Sequence, residues 1–263
     1  MGVLENNILG TGYLAFTSMK ARNKLLFIFC FFFILFSLMR SLSYCDSPSG
    51  ESEKYHKLRY EMVDQQIASR GVKNKDVLQA MRDVPRHLFV PEKEKSSAYG
   101  DFPLPIGYGQ TISQPYIVGL MTELLEPQKD DIALEVGTGS GYQAAVLSKI
   151  VNKVYTIEIV DPLGRAAEKR LKETYPNITV KVGDGYFGWE EFAPFDCIIV
   201  TAASDHIPPP LVKQLKNGGK MAIPVGHPFQ VQSLMLVEKS DEGEVRIKNI
   251  LPVRFVPLRR EWK

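Results

Sequence analysis

Three glycines that alternate with other residues constrain this chain more than any other feature. Gly137, Gly139 and Gly141 directly follow an apolar stretch that ends at Val136, and a second apolar stretch occupies residues 142–150. A buried strand, a turn without side chains and a helix occur in this order in the nucleotide-binding sites of α/β proteins. Glycine permits positive φ and lets a ligand lie against the main chain, where the amides of a helix N-terminus point. The run therefore predicts a nucleotide-cofactor site.

The spacing of these glycines indicates which cofactor binds. The dinucleotide fingerprint G-x-G-x-x-G needs a glycine at position 142, where this chain has Tyr142. A G-x-G-x-G turn suits a ligand that has no pyrophosphate to cradle, and S-adenosylmethionine fits that description. The predicted cofactor contacts within the run are Glu135, Gly137, Thr138, Gly139, Ser140 and Gly141.

Two acidic residues follow at the ends of the next predicted strands. Glu158 ends an apolar stretch and stands at about the distance from the glycines where a ribose-binding acid is expected. We predict that Glu158 accepts hydrogen bonds from both ribose hydroxyls. Asp184 follows a third strand, between two glycines, and we predict that it receives the adenine amino group beside Gly185. Because parallel strands end along one crevice, the acids and the glycine turn form one predicted site.

Strands and helices alternate after the glycine turn at lengths typical of parallel βαβ units. The predicted strands are residues 153–159, 178–182, 195–201 and 220–225, and the predicted helices are residues 142–150, 162–175 and 208–215. Residues 231–238 and 245–255 are predicted to form a final antiparallel pair. The predicted fold is a doubly wound, mostly parallel α/β sheet, the Rossmann-like fold of class I S-adenosylmethionine-dependent methyltransferases.

Helices are also predicted before the sheet. Residues 55–70, 75–82 and 116–125 are the predicted helices, and Pro115 fits the first turn of the last one. Residues 91–109 are rich in proline, glycine and aromatic residues and show no clear period, which predicts a loop.

The N-terminal part of the chain carries a predicted targeting segment. Basic residues precede an almost unbroken apolar run, residues 25–39, and a polar stretch follows it. The run is shorter than the ~20 residues of a membrane span, which favours a signal peptide or a signal anchor. Cys45 also permits a lipoprotein, and translation could start at Met19. We predict a targeting segment with a linker in residues 1–52, with possible membrane association or export, and one methyltransferase domain in residues 53–263.

Composition excludes several classes of function. Lysine and arginine number 32 against 30 aspartates and glutamates, and no basic block marks the domain, so nucleic acid is not an expected partner. The three cysteines and four histidines show neither a disulfide framework nor metal-ligand spacing, and we predict no metal site. We expect a monomer.

Several separate segments together match one known family. The most specific of them is the loop Gly109-Gln110-Thr111-Ile112-Ser113-Gln114-Pro115. The others are residues 70–72, 84–91, 134–142, 183–185, 195–203, 223–226 and 254–258. On these segments the chain, from about residue 62 to residue 258, resembles the protein-L-isoaspartate (D-aspartate) O-methyltransferase family. The resemblance implies a repair enzyme that methylates the α-carboxyl group of L-isoaspartyl residues in damaged proteins and peptides. It also implies a cytoplasmic location, and the apolar N-terminal run argues against that location.

The chemistry implied by the resemblance favours neutral hydroxyls near the reacting atoms. A substrate carboxylate, with a pKa near ~3.9, is already ionised at neutral pH and needs no general base. The sulfonium charge and the carboxylate charge both disappear in the transition state, so strong fixed charges nearby would slow the reaction. Ser113 is the predicted catalytic residue, and the predicted substrate contacts are Thr111, Ile112, Thr201 and Arg254. Structural alternatives stay open: an N-cap at Ser113, a partner for local backbone at Thr201 and an exposed edge-strand arginine at Arg254.

Three other functions remain open. A methyltransferase for a small-molecule acid or hydroxyl would share the cofactor site and differ in residues 110–115. An exported binding module without activity fits the apolar N-terminus, because S-adenosylmethionine is made inside the cell, but the intact glycines, Glu158 and Asp184 disfavour it. A nicotinamide dehydrogenase is disfavoured by Tyr142 and by the lack of a Tyr-x-x-x-Lys motif.

Overall fold

The structure of the protein, a computed structural model, describes residues 53–227 and 230–261. The predicted signal, anchor or lipoprotein segment lies outside these residues. In the part of the chain that is described, no helix combines the length and the apolar character needed to cross a membrane.

The described residues form nine strands in two sheets. They are β1 (Leu104–Gly107), β2 (Gln110–Ile112), β3 (Ile132–Val136), β4 (Lys153–Glu158), β5 (Ile178–Val182), β6 (Phe195–Val200), β7 (Leu215–Val225), β8 (Gln232–Lys239) and β9 (Val245–Val253). Strands β1 and β2 form an antiparallel hairpin, and the main sheet has the order β5-β4-β3-β6-β7-β8-β9. Its strands β3 to β7 run parallel, and β8 and β9 add an antiparallel edge. The predicted mostly parallel, doubly wound fold is confirmed.

Six α-helices accompany the strands in the described ranges. They are α1 (Glu53–Met62), α2 (Lys75–Asp83), α3 (Pro115–Leu124), α4 (Tyr142–Ser148), α5 (Asp161–Leu171) and α6 (Pro209–Gln214). Side chains alternate across the central strand β3. Ala133 packs in the core that α2 to α5 cover, whereas Leu134 and Val136 pack in the core that contains Leu211 of α6. Both faces of the sheet are therefore buried, which explains why β6 is apolar throughout most of its length.

The order of the main sheet reverses at β3. From β3 the chain proceeds to β4 on one side, and it returns to β6 on the other side. In open α/β sheets, ligands bind beyond the carboxyl ends of the strands at such a switch point. The glycine turn follows β3 directly, so the topology places it at the position where a ligand is expected.

Two local predictions are wrong. The loop predicted for residues 91–109 contains β1, which pairs with β2 through a turn at Tyr108. A four-residue strand is too short to show a period of two, and so the pattern gave no signal for it. Strand β7 begins at Leu215 and not at residue 220, so the residues between the predicted helix and the predicted strand belong to the strand.

Candidate active site

The glycine turn has the bare main chain that the sequence predicts. Gly137 has φ +100° and Gly141 has φ +88°, which are conformations that residues with a Cβ rarely adopt. A Cβ at Gly137 would overlap Thr201 Oγ1, and a Cβ at Gly141 would lie 2.9 Å from Leu171 Cδ1. Helix α4 begins immediately after the turn. Glycine is therefore required at both positions by conformation and by space.

A cavity of about 70 Å³ lies against this turn, and we call it the turn cavity. The predicted cofactor residues that line it are Glu135, Gly137, Thr138, Gly139, Ser140, Glu158 and Gly185. Gly141 and Asp184 are the two predicted cofactor residues that do not line it. Most of the predicted set is thus brought together at one place, from β3, the glycine turn, β4 and the end of β5.

Glu135 places a buried carboxylate in the wall of the turn cavity. Its Oε2 accepts a hydrogen bond of 2.5 Å from Thr156 Oγ1, which lies 2.6 Å from Thr138 Oγ1. Its Oε1 is buried and has no hydrogen-bond partner among the described residues. Burial, and to a smaller extent the nearby Glu158, raises the pKa of Glu135 to about 8. An acceptor without a partner in a cavity wall suits a ligand that brings a donor.

Glu158 is held toward the same cavity by main-chain bonds. Its Oε1 accepts a bond of 2.8 Å from the Val160 amide, and its Oε2 accepts one of 2.7 Å from the Gly139 amide. Burial raises the pKa of this carboxylate, while the amide bonds act in the opposite direction. Each oxygen can still accept a second hydrogen bond, which leaves capacity for two ligand hydroxyls.

Both carboxylate oxygens of Asp184 accept hydrogen bonds from within the protein. Its Oδ1 accepts a bond of 3.0 Å from the Tyr186 amide and caps a short 3-10 helix, Gly185–Phe187. Its Oδ2 accepts a bond of 2.9 Å from Arg260 Nε. The Arg260 guanidinium also lies 3.9 Å from the ring centroid of Tyr186. The structure does not bring Asp184 into the turn cavity, and its contact with adenine stays a prediction.

A second, open cavity of about 730 Å³ adjoins the first, and we call it the groove. Six residues line both cavities and form their common wall: the predicted Thr111, Ser113 and Thr201, together with Val256, Pro257 and Arg259. Arg254 is exposed and lines the groove but not the turn cavity. Ile112 is buried and lines the turn cavity but not the groove. The predicted substrate residues therefore lie around the boundary of the two cavities rather than on one surface.

The hydroxyls of Ser113 and Thr201 differ in the hydrogen bonds that they can still form with a ligand. Ser113 Oγ forms no hydrogen bond with another described residue, and the N-cap of α3 is Gln114, without a capping side-chain bond. The N-cap role considered for Ser113 is therefore not what the structure shows. Thr201 Oγ1 donates to Gly137 O at 2.6 Å, which is the local backbone role considered above. Ser113 can donate to a ligand, whereas Thr201 can only accept.

The sequence analysis missed the segment that covers the turn cavity. Residues 256–259 line the cavity. Ala203 fixes this segment, since its amide donates to Val256 O at 2.8 Å and its carbonyl accepts from the Leu258 amide at 2.7 Å. Residues 254–258 were noted only as a family-like segment near the substrate. Tyr142 and Gln143 of α4 also line the cavity, and no pattern other than their place after the glycines indicated this.

The groups of the turn cavity fit S-adenosylmethionine. The bare turn suits a ligand without pyrophosphate, Glu158 can take ribose hydroxyls, and Glu135 Oε1 is a buried acceptor for a cationic group. Residues 256–259 line the same cavity, so this covering segment would also lie against a bound nucleoside. The fold and the site define a class I S-adenosylmethionine-dependent methyltransferase.

Comparison with known proteins gives the family. A family model described as protein-L-isoaspartate(D-aspartate) O-methyltransferase matches residues 57–263, and the chain belongs to this family. It is 53% identical over 236 residues to protein-L-isoaspartate O-methyltransferase 2 of Shewanella sediminis, covering 89% of this chain and 95% of the relative. It is 56% identical over 218 residues to protein-L-isoaspartate O-methyltransferase 1 of Nitrosospira multiformis, covering 82% and 92%.

Solved structures of the same family resemble the whole domain. One protein-L-isoaspartate O-methyltransferase is 28% identical with a TM-score of 0.69, over 77% of this chain and 65% of that chain. A candidate member from Plasmodium falciparum, in complex with S-adenosyl-L-homocysteine, is 25% identical with a TM-score of 0.67, over 77% and 99%. The predicted family and its cofactor class are therefore confirmed.

Proposed function

We propose that this protein transfers the methyl group of S-adenosylmethionine to the α-carboxyl group of L-isoaspartyl residues in damaged proteins. The observation that carries the proposal is the wall that the turn cavity and the groove share at Thr111, Ser113 and Thr201. The turn cavity has the groups for the methyl donor, and the groove is open and of a size that accepts a peptide. A peptide carboxylate in the groove would therefore reach the donor across this wall.

The turn cavity would hold the cofactor through groups that are already fixed. Glu158 would accept the ribose hydroxyls, and Glu135 Oε1 would accept the ammonium group of the methionine part. When bound, the cofactor supplies an electrophilic methyl carbon on a cationic sulfur, and the carbon–sulfur bond breaks as a substrate oxygen bonds to that carbon. Each carboxylate oxygen of Asp184 accepts one hydrogen bond and can accept a second, so Asp184 would take the adenine amino group at the end of β5.

Ser113 would act on the substrate carboxylate by alignment. The carboxylate is ionised at neutral pH, so it is nucleophilic without a base. A hydrogen bond from Ser113 Oγ to one carboxylate oxygen would leave the other oxygen free to attack. A neutral donor does this without opposing the loss of charge in the transition state. Alignment of reacting groups can contribute ~7–11 kcal/mol in favourable cases.

The groove would select a peptide rather than a small acid. Thr201 can only accept, because its proton is donated to Gly137 O, and so it suits a peptide N–H better than a carboxylate. The exposed Arg254 lines the groove and not the turn cavity, so it would contact the peptide chain beside the damaged residue. A small acid would leave these positions unused.

Transfer of labelled methyl groups tests the proposal. A synthetic peptide with one isoaspartyl residue, its normal aspartyl twin and a free dicarboxylic acid would each be offered with labelled S-adenosylmethionine. The proposal expects base-labile label on the isoaspartyl peptide only. Equal labelling of the aspartyl twin, or labelling of the free acid alone, would contradict it.

The compartment is a separate prediction with two alternatives. The family resemblance predicts the cytoplasm, whereas residues 25–39 predict export or a membrane anchor. Cell fractionation followed by sequencing of the mature N-terminus distinguishes them. A protein that starts at Met1 or Met19 keeps the apolar run, and one that starts after residue 43 has lost it.

A further inference from the structure

Arg86 is a buried cation behind the wall between the two cavities. It lies in a short 3-10 helix, Arg86–Phe89, and its side chain has no exposed surface. Its Nε donates to Ala98 O at 2.8 Å, and its Nη2 donates to Ser113 O at 2.7 Å. Its guanidinium carbon lies 4.9 Å from the ring centroid of Tyr142, which lines the turn cavity. One side chain thus contacts residues from both cavity walls.

Arg86 forms no ion pair with a described residue. Its hydrogen bonds go to two main-chain carbonyls, and its Nη1 has no partner among the described residues. Asp101 acts on it electrostatically from beyond ion-pair distance: Asp101 Oδ2 is bonded to Arg70 at 2.8 Å, and the buried Oδ1 has no partner among the described residues. Burial lowers the pKa of Arg86 to about 10, so the side chain remains a cation at neutral pH. An apolar residue would fill this space without the cost of burying a charge.

The contact with Ser113 O bears on the predicted catalytic hydroxyl. A hydrogen bond from a guanidinium to a carbonyl is stronger than one between neutral groups, so it restrains the peptide plane that follows Ser113. The next residue is restrained as well, since Gln114 Nε2 donates to Asp101 O at 3.1 Å. With this plane restrained, the position of the Ser113 Cα and the direction of its Cα–Cβ bond toward the two cavities are restrained as well.

We propose that Arg86 is a positioning residue for methyl transfer, which holds the main chain of Ser113 so that its hydroxyl meets the substrate carboxylate at the cofactor. This inference rests on the proposed function of Ser113. A displacement of about 1 Å at a reacting group can cost ~100-fold in rate. Loss of the hydrogen bond from Arg86 to Ser113 O would therefore slow methyl transfer although Arg86 does not touch the substrate.

Two substitutions and a matched control separate positioning from folding. Arg86→Lys keeps the charge but loses the fork that reaches two carbonyls, and Arg86→Met removes the charge at similar length. Arg82→Met, which breaks an ion pair with Asp64 and touches neither cavity, is the control. We expect kcat for the isoaspartyl peptide to fall about 10- to 100-fold in both Arg86 variants. Affinity for S-adenosylhomocysteine should change less than about threefold, and the control should keep its kcat.

The same substitution in a Ser113→Ala background is the decisive comparison. If Arg86 acts through Ser113, Arg86→Lys should lower kcat much less there than in the wild-type background. An equal loss in both backgrounds, or unchanged kcat in Arg86→Lys, would overturn the inference. If Arg86→Met does not fold, Arg86→Lys alone decides the outcome.

A readout without activity keeps this inference apart from the proposed function. Absence of turnover in the wild type would count against the proposed function, and not against the hydrogen bond by which Arg86 holds the main chain of Ser113. Amide hydrogen exchange in Arg86→Lys should then still be faster than in the wild type at residues 110–114. Unchanged exchange there would show that Arg86 does not hold the loop.

Discussion

The hydroxyl of Ser113 lies where the two cavities meet, and no other described residue uses its proton. A donor that is free within a fixed loop is suited to a carboxylate that arrives with the substrate. Glu135 is the complementary case, because its Oε1 is an acceptor without a partner among the described residues. Each residue therefore offers one unused hydrogen-bonding group, Ser113 to the substrate and Glu135 to the cofactor.

Replacement of Ser113 tests its assignment to the substrate. Ser113→Ala should lower kcat about 10- to 100-fold, the scale for losing a hydrogen bond to a charged group. Affinity for S-adenosylhomocysteine, measured by calorimetry, should stay within about twofold. Ser148→Ala is the matched control, because Ser148 Oγ donates to Ala145 O within α4 and lies outside both cavities. Parallel losses of turnover and cofactor affinity would contradict the assignment.

Replacement of Glu135 changes how stability depends on pH. Burial raises the pKa of Glu135 from its ordinary value of 4.5 to about 8 in the folded, cofactor-free protein. Between these values the unfolded chain has lost a proton that the folded protein keeps, so this carboxyl lowers the free energy of unfolding as pH rises. Below pH 4.5 and above about pH 8, Glu135 adds no further pH dependence to the free energy of unfolding.

Glu135→Gln should remove this contribution. We expect the free energy of unfolding in urea of Glu135→Gln, relative to that of the wild type, to increase as pH rises from about 5 to about 8. Glu173→Gln, at an exposed position just after α5, is the control. A constant difference between wild type and Glu135→Gln over this range would show that the carboxyl is not protonated in the fold.

The covering segment, residues 256–259, lies next to the cofactor site. It lines the turn cavity and is fixed by two main-chain bonds to Ala203. Beyond it, Arg260 binds Asp184 and packs on Tyr186. Because the segment lies against the cofactor site, we expect it to move when the cofactor enters or leaves.

Arg260→Ala should therefore speed cofactor exchange. An exposed ion pair contributes ~0–1 kcal/mol and a cation–π contact ~0.5–1 kcal/mol, so the rates of binding and release should rise by up to about tenfold. Stopped-flow fluorescence with S-adenosylhomocysteine would measure both rates. Arg246→Ala, at an exposed position of β9, should leave them unchanged. Slower exchange in Arg260→Ala would mean that Arg260 contacts the cofactor rather than closing the cavity.

Elements with a strong local pattern could be predicted from the sequence, and those without one could not. Strand β5 has the predicted bounds, because apolar residues between turn signals mark it clearly. The hairpin of β1 and β2 was missed, although it carries Thr111 to the common wall. Its strands have four and three residues, which is too short to show a period of two, and its turn has positive φ at Gly107, Tyr108 and Gly109.

At the scale of the whole molecule, the switch in strand order at β3 brings the site together. The sequence predicted this because parallel βαβ alternation places strand ends along one crevice, and the glycine turn, Glu135 and Glu158 follow from it. It did not predict that Arg260 pairs with Asp184, which lies 76 positions earlier. No local sequence pattern in either segment indicates that contact, so it became visible only in the structure.

A crystal structure of the protein with S-adenosylhomocysteine would test the central claim most directly. We expect the nucleoside in the turn cavity, its ribose hydroxyls on Glu158, its ammonium on Glu135 and its sulfur facing Ser113. The covering segment should stand farther from the glycine turn than it does here. A nucleoside bound elsewhere, or a sulfur turned away from the groove, would contradict the account.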